Sequence, residues 1–127
     1  MPEIPVSGRV LIADDDPSVR LLLRQMLEPT GTSILEADNG REAVRLARDN
    51  PVILAIVDLV MPEMDGLETI RELLREQPGM NIIAMSGALP AHYLEVARRM
   101  GARGVLAKPI GARELEEAIA PFLGRKT

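Results

Sequence analysis

Residues 52–57 read Val-Ile-Leu-Ala-Ile-Val, an unbroken apolar run between Pro51 and Asp58. A strand with one wet face alternates polar and apolar residues, so this run predicts a strand buried on both faces, as in the middle of a parallel sheet. The run ends on a carboxylate, Asp58, and the following residues carry Pro62 and Asp65-Gly66, which mark a loop. Asp58 therefore stands at the C-terminal end of the strand, the side on which open parallel sheets bind ligands. From this stretch alone, Asp58 is either a functional group or the cap of a turn.

The rest of the chain repeats the pattern. Residues 9–13 form a second apolar run, ending on Asp14, Asp15 and Asp16. Asp16-Pro17 has the form of a helix start, Asp as N-cap and Pro at the first helical position, and Val19, Leu22, Leu23, Met26 and Leu27 follow at helical spacing. That helix should stop near Pro29-Thr30-Gly31. Residues 33–36 predict a short strand, and after an Asp38-Asn39-Gly40 turn a helix turns Ala43, Val44 and Ala47 inward and Arg41, Arg45 and Arg48 outward. A third helix carries Leu67, Ile70, Leu73 and Leu74, with Glu68/Arg71 and Glu72/Arg75 as outer pairs, and ends at Pro78-Gly79. Residues 81–85 predict a strand ending at Ser86-Gly87, and 91–100 a helix stopped by Gly101. A last strand over 104–107 ends at Lys108-Pro109, and a last helix over 112–123 has Leu115, Ala118, Ile119 and Phe122 on one face. Residues 124–127 should fray. Five strands alternating with five helices through short turns require a parallel sheet covered on both sides, so the fold class is α/β. The strand order cannot be read from this alternation.

Four strand ends carry chemical groups: Asp14 and Asp15, Asp58, Ser86 and Lys108. In a parallel sheet all of them face one rim. Three carboxylates in one crevice repel, and either a raised pKa or a hard, oxygen-seeking cation such as Mg²⁺ relieves the repulsion. With a metal present, Lys108 is not needed merely to neutralise the acids; a lysine and a hydroxyl beside a metal suit an incoming phosphoryl group, with one carboxylate as its acceptor.

Composition narrows the field further. A chain of 127 residues fits one domain, 1–127, with a core over about 8–123. Without Cys it has no disulfide, zinc-thiolate site or cysteine nucleophile. A net charge of -4 and only two aromatic residues, Tyr93 and Phe122, argue against direct binding of nucleic acid. No apolar stretch approaches the roughly 20 residues that span a bilayer, and no secretion signal opens the chain, so a soluble, cytoplasmic protein without membrane contact is expected. His92 reads as a solvated side chain, Met61, Met64 and Met85 as packing, and Arg98, Arg99 and Arg103 as solvated charges or a partner-facing patch.

Asp14-Asp15, the segment from Asp58 through Met61-Pro62 to Asp65-Gly66, Ser86-Gly87 and Lys108-Pro109, in this order, resemble the receiver (response-regulator) domains of two-component signalling over nearly the whole chain. The resemblance implies a flavodoxin-like five-stranded sheet of order 2-1-3-4-5. It also implies a phosphorylation switch rather than a dedicated enzyme. Asp58 would accept a phosphoryl group from a phosphohistidine of a sensor histidine kinase or phosphotransfer protein, or from a small acyl phosphate. Asp15 would bind Mg²⁺ directly, Asp14 largely through water, with Asp58 and the backbone carbonyl of Val60 completing the protein's oxygens. Ser86 and Lys108 would hold phosphoryl oxygens, the Lys108-Pro109 bond would be cis, and the state would pass to a downstream effector through the fourth helix, fifth strand and fifth helix. One departure stands out: receivers commonly place Tyr or Phe three residues before the lysine, and here the residue is Val105, with Tyr93 nearby as a compensating ring or an ordinary tyrosine. A haloacid-dehalogenase-type phosphatase is disfavoured, because its second Asp, two residues after the nucleophile, is Val60 here. A phosphorylation-silent module is disfavoured because every acid and the lysine are present, and a flavodoxin because Asp14, Asp15 and Asp16 would repel a bound phosphate.

Overall fold

The computed structural model describes residues 8–87 and 90–123. The apolar run is β3 (Val52–Asp58), the middle strand of a five-stranded parallel sheet. It lies between β1 (Arg9–Ala13) and β4 (Asn81–Ser86), with β2 (Ile34–Ala37) and β5 (Gly104–Ala107) at the edges, giving the order β2-β1-β3-β4-β5. The helices are α1 (Pro17–Leu27), α2 (Gly40–Asp49), α3 (Gly66–Glu76), α4 (Ala91–Met100) and α5 (Ala112–Leu123). This is the flavodoxin-like arrangement, with a reversal of strand order between β1 and β3.

Alternation along each strand divides the core into two layers. Leu11, Ala13, Ala55, Val57, Ile82 and Ala84 face α2, α3 and α4, where Val44, Ile70, Leu73 and Ala97 meet them. Val10, Ile12, Leu54, Ile56, Ile83 and Met85 face the other way, against Leu23 and Leu27 of α1 and Leu115 and Ile119 of α5. Burying each of the Val, Leu, Ile and Met side chains among these contributes about 1.5–3 kcal/mol, so the middle strands are the most firmly held part of the sheet.

Local chemistry sets the helix ends. Asp16, as expected, accepts the Ser18 N–H at 2.9 Å and caps α1. Asp65 caps α3 by accepting the Glu68 N–H at 2.8 Å, so its role is more specific than the turn expected of Asp65-Gly66. At the far end of α3, the Gln77 amide accepts from Val52 N at 2.9 Å and donates to the Asn50 and Ala47 carbonyls, tying the helix to the start of β3.

Several expected details move. β2 lies at Ile34–Ala37 rather than 33–36, because its pairing with β1 runs to Ala13↔Ala37 and leaves Ser33 exposed. β3 and β4 each extend one residue, to Asp58 and Ser86, since Leu59 N–H and Lys108 N–H continue the ladder onto the Met85 and Ser86 carbonyls. Leu22 is exposed: the inward stripe of α1 runs through Val19, Leu23, Met26 and Leu27, and Leu22 sits one step round from it. On α3, Arg71 pairs with Glu72 at 3.9 Å in place of Glu68, while Arg75 pairs with Glu72 at 3.6 Å as expected. The expected fraying of 124–127 and part of the segment after Ser86, residues 88–89, lie outside the described residues.

Candidate functional site

Strand register decides which residues meet. Ala13 is opposite Val57, Asp58 opposite Met85, and Ser86 opposite Ala107. The chain leaving these strands therefore brings Asp14, Asp15, Asp58, Ser86 and Lys108 to one rim, as the sequence predicts. Asp14, Asp58 and Ser86 are buried, whereas Asp15 is exposed.

Lys108 is the electrostatic centre of the rim. Its ammonium donates to Asp14 Oδ2 at 2.8 Å and to Asp58 Oδ2 at 2.9 Å. Asp14 Oδ1 accepts the Asp16 N–H at 2.9 Å and Asp58 Oδ1 the Val60 N–H at 3.1 Å. Burial raises the Asp58 pKa above the usual aspartate value; the Lys108 hydrogen bond and the Val60 N–H oppose this, and the nearby Asp14 charge adds to it. Burial alone would lower the Lys108 pKa, but its hydrogen bonds with Asp14 and Asp58 prevail and raise it.

Carboxylate oxygens of Asp14, Asp15 and Asp58 lie within 4.8 Å of one another. Three carboxylates against one ammonium leave negative charge uncompensated, and all the donors are hard oxygens, a set that fits a small divalent cation better than a soft metal. Among the described residues no N–H donates to the Val60 carbonyl, so that oxygen too is available as a ligand. Among the described residues the buried Ser86 hydroxyl has no hydrogen-bond partner. An orphaned buried hydroxyl costs about 1–3 kcal/mol, a sign that the position serves something other than stability.

The scaffold under the rim is tight. A Cβ on Gly66 would run into the Asp58 carbonyl oxygen and the Leu59 Cα, so only glycine lets α3 start directly against the end of β3. The loop between them also holds Glu63 at a φ of 68°, a left-handed conformation uncommon outside glycine. The Lys108-Pro109 bond is cis, as the resemblance implies.

Other candidates lie away from the cluster. His92 and Tyr93 are exposed and face each other, ring centroids 4.8 Å apart. Met61 and Met85 are buried in packing, as expected. Arg98 and Arg103 border a shallow groove of about 530 Å³ over β5 and α5, whose floor includes the half-buried Val105. Sequence reasoning missed Arg20, which donates to the Asp14 carbonyl at 2.7 Å and to Glu36 at 3.1 Å. Its place one turn into a helix that begins beside the acidic run was the available signal.

Residues 10–120 match the family model described as the response regulator receiver domain. This chain belongs to the response-regulator receiver family. The receiver family is the phosphorylation-controlled switch of two-component signalling, which agrees with a site built on strand ends rather than in a deep substrate cavity. The chain is 32% identical over 112 residues to the chemotaxis protein CheY of Thermotoga maritima, covering 87% of this chain and 93% of that one. It is 36% identical over 114 residues to the transcriptional regulatory protein GlrR of Escherichia coli, covering 88% of this chain but 25% of GlrR. Several other curated relatives are also longer: the chain spans 13% of the sensor histidine kinase GacS of Pseudomonas protegens and 53% of a transcriptional regulator of Pseudomonas aeruginosa. Among solved structures, a CheY-like receiver domain from Methanospirillum hungatei superposes with a TM-score of 0.86 at 28% identity, over 93% of this chain and 94% of that one. Among the described residues no helix is long and apolar enough to cross a membrane.

Proposed function

We propose that residues 1–127 act as one receiver domain in which Asp58 accepts a phosphoryl group from a phosphohistidine or a small acyl phosphate. The observation that carries this reading is the convergence of Asp58 with a lysine and an unpartnered buried hydroxyl, Ser86, on the same rim. The Asp58 carboxylate attacks phosphorus, the bond to the donor's imidazole nitrogen or acyl oxygen breaks, and the electron pair leaves with the donor. The product on Asp58 is an acyl phosphate. Lys108 moves its hydrogen bond from Asp58 to a phosphoryl oxygen, and the Ser86 hydroxyl, without a partner among the described residues, donates to another. Asp15, Asp58 and the Val60 carbonyl would hold Mg²⁺, with Asp14 assisting through water. The cation supplies charge stabilisation for the transferring phosphoryl oxygens. Burial around Asp14 and Asp58 lowers the local dielectric, so each of these contacts counts for more than it would in water.

Donors of the phosphoryl group are a sensor histidine kinase or a phosphotransfer protein. The receiver of the signal is an effector reached through α4, β5 and α5, in the cytoplasm. Because Val105 is short and stiff where an aromatic ring is common, the phosphorylation-dependent change is centred on Ser86 and the start of α4 rather than on β5. The test is incubation with a small acyl phosphate with Mg²⁺ or with a chelator, read by intact mass. One phosphoryl group should appear only with Mg²⁺, and Asp15→Ala should suppress it more than Asp14→Ala. Equal incorporation in the chelator, or in both variants, would overturn the metal assignment.

A further inference from the structure

We infer that Arg20 is a positioning residue for the acidic loop: it fixes the peptide between Asp14 and Asp15 and so presents the Asp15 carboxylate to a divalent cation. The inference rests on the metal reading above. Asp15 is exposed, and among the described residues its carboxylate has no hydrogen-bond or ion-pair partner. The backbone therefore sets the direction in which this side chain leaves the loop, and no other group among the described residues holds it. That backbone begins at the Asp14 carbonyl, which lies just beyond the end of β1.

Arg20 reaches this carbonyl from α1. Nη1 donates to Asp14 O at 2.7 Å, a charge-assisted bond, while Nε of the same guanidinium pairs with Glu36 Oε1 on β2 at 3.1 Å. Glu36 is held in turn by Arg24 Nε at 2.6 Å. The planar fork thus spans two elements, and a guanidinium held at both edges cannot rotate away from the carbonyl. On the other side of the loop, Asp14 Oδ1 accepts the Asp16 N–H and Asp14 N–H donates to the Ala37 carbonyl. The peptide that carries Asp15 is pinned from both ends, and Arg20 supplies the only side-chain hydrogen bond to its carbonyl among the described residues. A side chain that orients a metal ligand through its supports typically changes metal affinity about 10- to 100-fold when removed.

Charge and position make opposite predictions, which renders the idea testable. Removing a cation near three carboxylates should tighten Mg²⁺ binding if only electrostatics matter. Calorimetric titration of the unphosphorylated protein with Mg²⁺ is expected to show the reverse, about tenfold weaker binding by Arg20→Ala. Arg20→Lys keeps the charge and the stem but not the fork, and is expected to weaken binding similarly. It carries the comparison where Arg20→Ala does not fold. Arg24→Ala removes the same charge and one support of Glu36 but leaves the Arg20 bond to the Asp14 carbonyl in place, so any weakening should be well below that of Arg20→Ala. The amide signals of Asp15 and Asp16 should shift in the Arg20 variants before any Mg²⁺ is added. Arg20 variants that bind Mg²⁺ as tightly as wild type, or more tightly, overturn this inference alone. A wild-type protein that takes up no Mg²⁺ overturns the metal reading and this inference with it.

Discussion

Replacing Lys108 with Met removes one ammonium and keeps the stem that passes Gly87. Two carboxylates lose their partner at once: Asp14, with no exposed surface, and Asp58, with 5%. Deleting one member of a buried ion pair costs roughly 3–5 kcal/mol, because the remaining charge stays desolvated. The Lys108 side chain is 22% exposed, so water already screens it in part and the lower end, about 3 kcal/mol, applies. In a domain of this size that corresponds to a fall in Tm on the order of 10 °C. The pH dependence follows from the signs of the shifts. The Lys108 pKa is raised by its partners, so its stabilisation is complete below the ordinary lysine value of 10.5 and is lost as pH rises through the raised value. On the acid side the gap between wild type and variant closes, since a protonated Asp58 no longer needs the ammonium. Burial raises the Asp58 pKa, so closure begins above the ordinary 3.8. Thermal unfolding in metal-free buffer between pH 4 and pH 9 measures the acid-side closure, and the gap should stay constant toward the alkaline end of that range, which lies below the ordinary lysine value. A Lys108→Met protein as stable as wild type at pH 7 would refute the argument that this lysine offsets the buried acids.

Ser86→Ala should leave stability unchanged or raise it by about 1 kcal/mol, since it removes an unpartnered buried hydroxyl, while slowing phosphorylation; a marked drop in the denaturation midpoint would contradict this. Gly66→Ala should destabilise by about 2 kcal/mol, because the new Cβ meets the backbone of Asp58 and Leu59 rather than a yielding side-chain end, and urea unfolding measures the cost. Mg²⁺ affinity should fall below about pH 5, as protons compete for the carboxylates, among them Asp58 with a pKa raised by burial; titrations at several pH values would show a flat profile if the carboxylates are not the ligands. Loading with a phosphoryl mimic in the presence of Mg²⁺ should shift amide signals around Ser86 and Tyr93 more than on the outer face of β5, and a rearrangement centred on Val105 would count against the proposed path.

The strands and the rim were legible because apolar runs ending on chemical groups are a one-dimensional signal. Val52–Asp58 carries its burial in its composition, and a parallel sheet then forces Asp14, Asp58, Ser86 and Lys108 to the same end. Strand order was not legible in the residues, because alternation fixes handedness and class but not which strands pair; it came from the family resemblance. Boundaries moved by one residue wherever pairing, not hydrophobicity, ends a strand, as at Ala37 and Ser86. Leu22 was misread because a two-residue apolar step at the edge of a helical stripe looks inward in sequence and is exposed in space. Arg20 escaped notice for a different reason: its partners, the Asp14 carbonyl and Glu36, are a backbone atom and a residue on another strand. Lys108 was expected at the rim, yet the direct pairing with both Asp14 and Asp58 depends on distances that spacing along the chain does not encode.

The central claim is that Asp58 alone receives the phosphoryl group. Wild type and Asp58→Asn, each incubated with Mg²⁺ and a small acyl phosphate, are compared by intact mass. Wild type should gain one phosphoryl group and Asp58→Asn none, with the variant still folded by circular dichroism. Full phosphorylation of a folded Asp58→Asn protein would contradict the account.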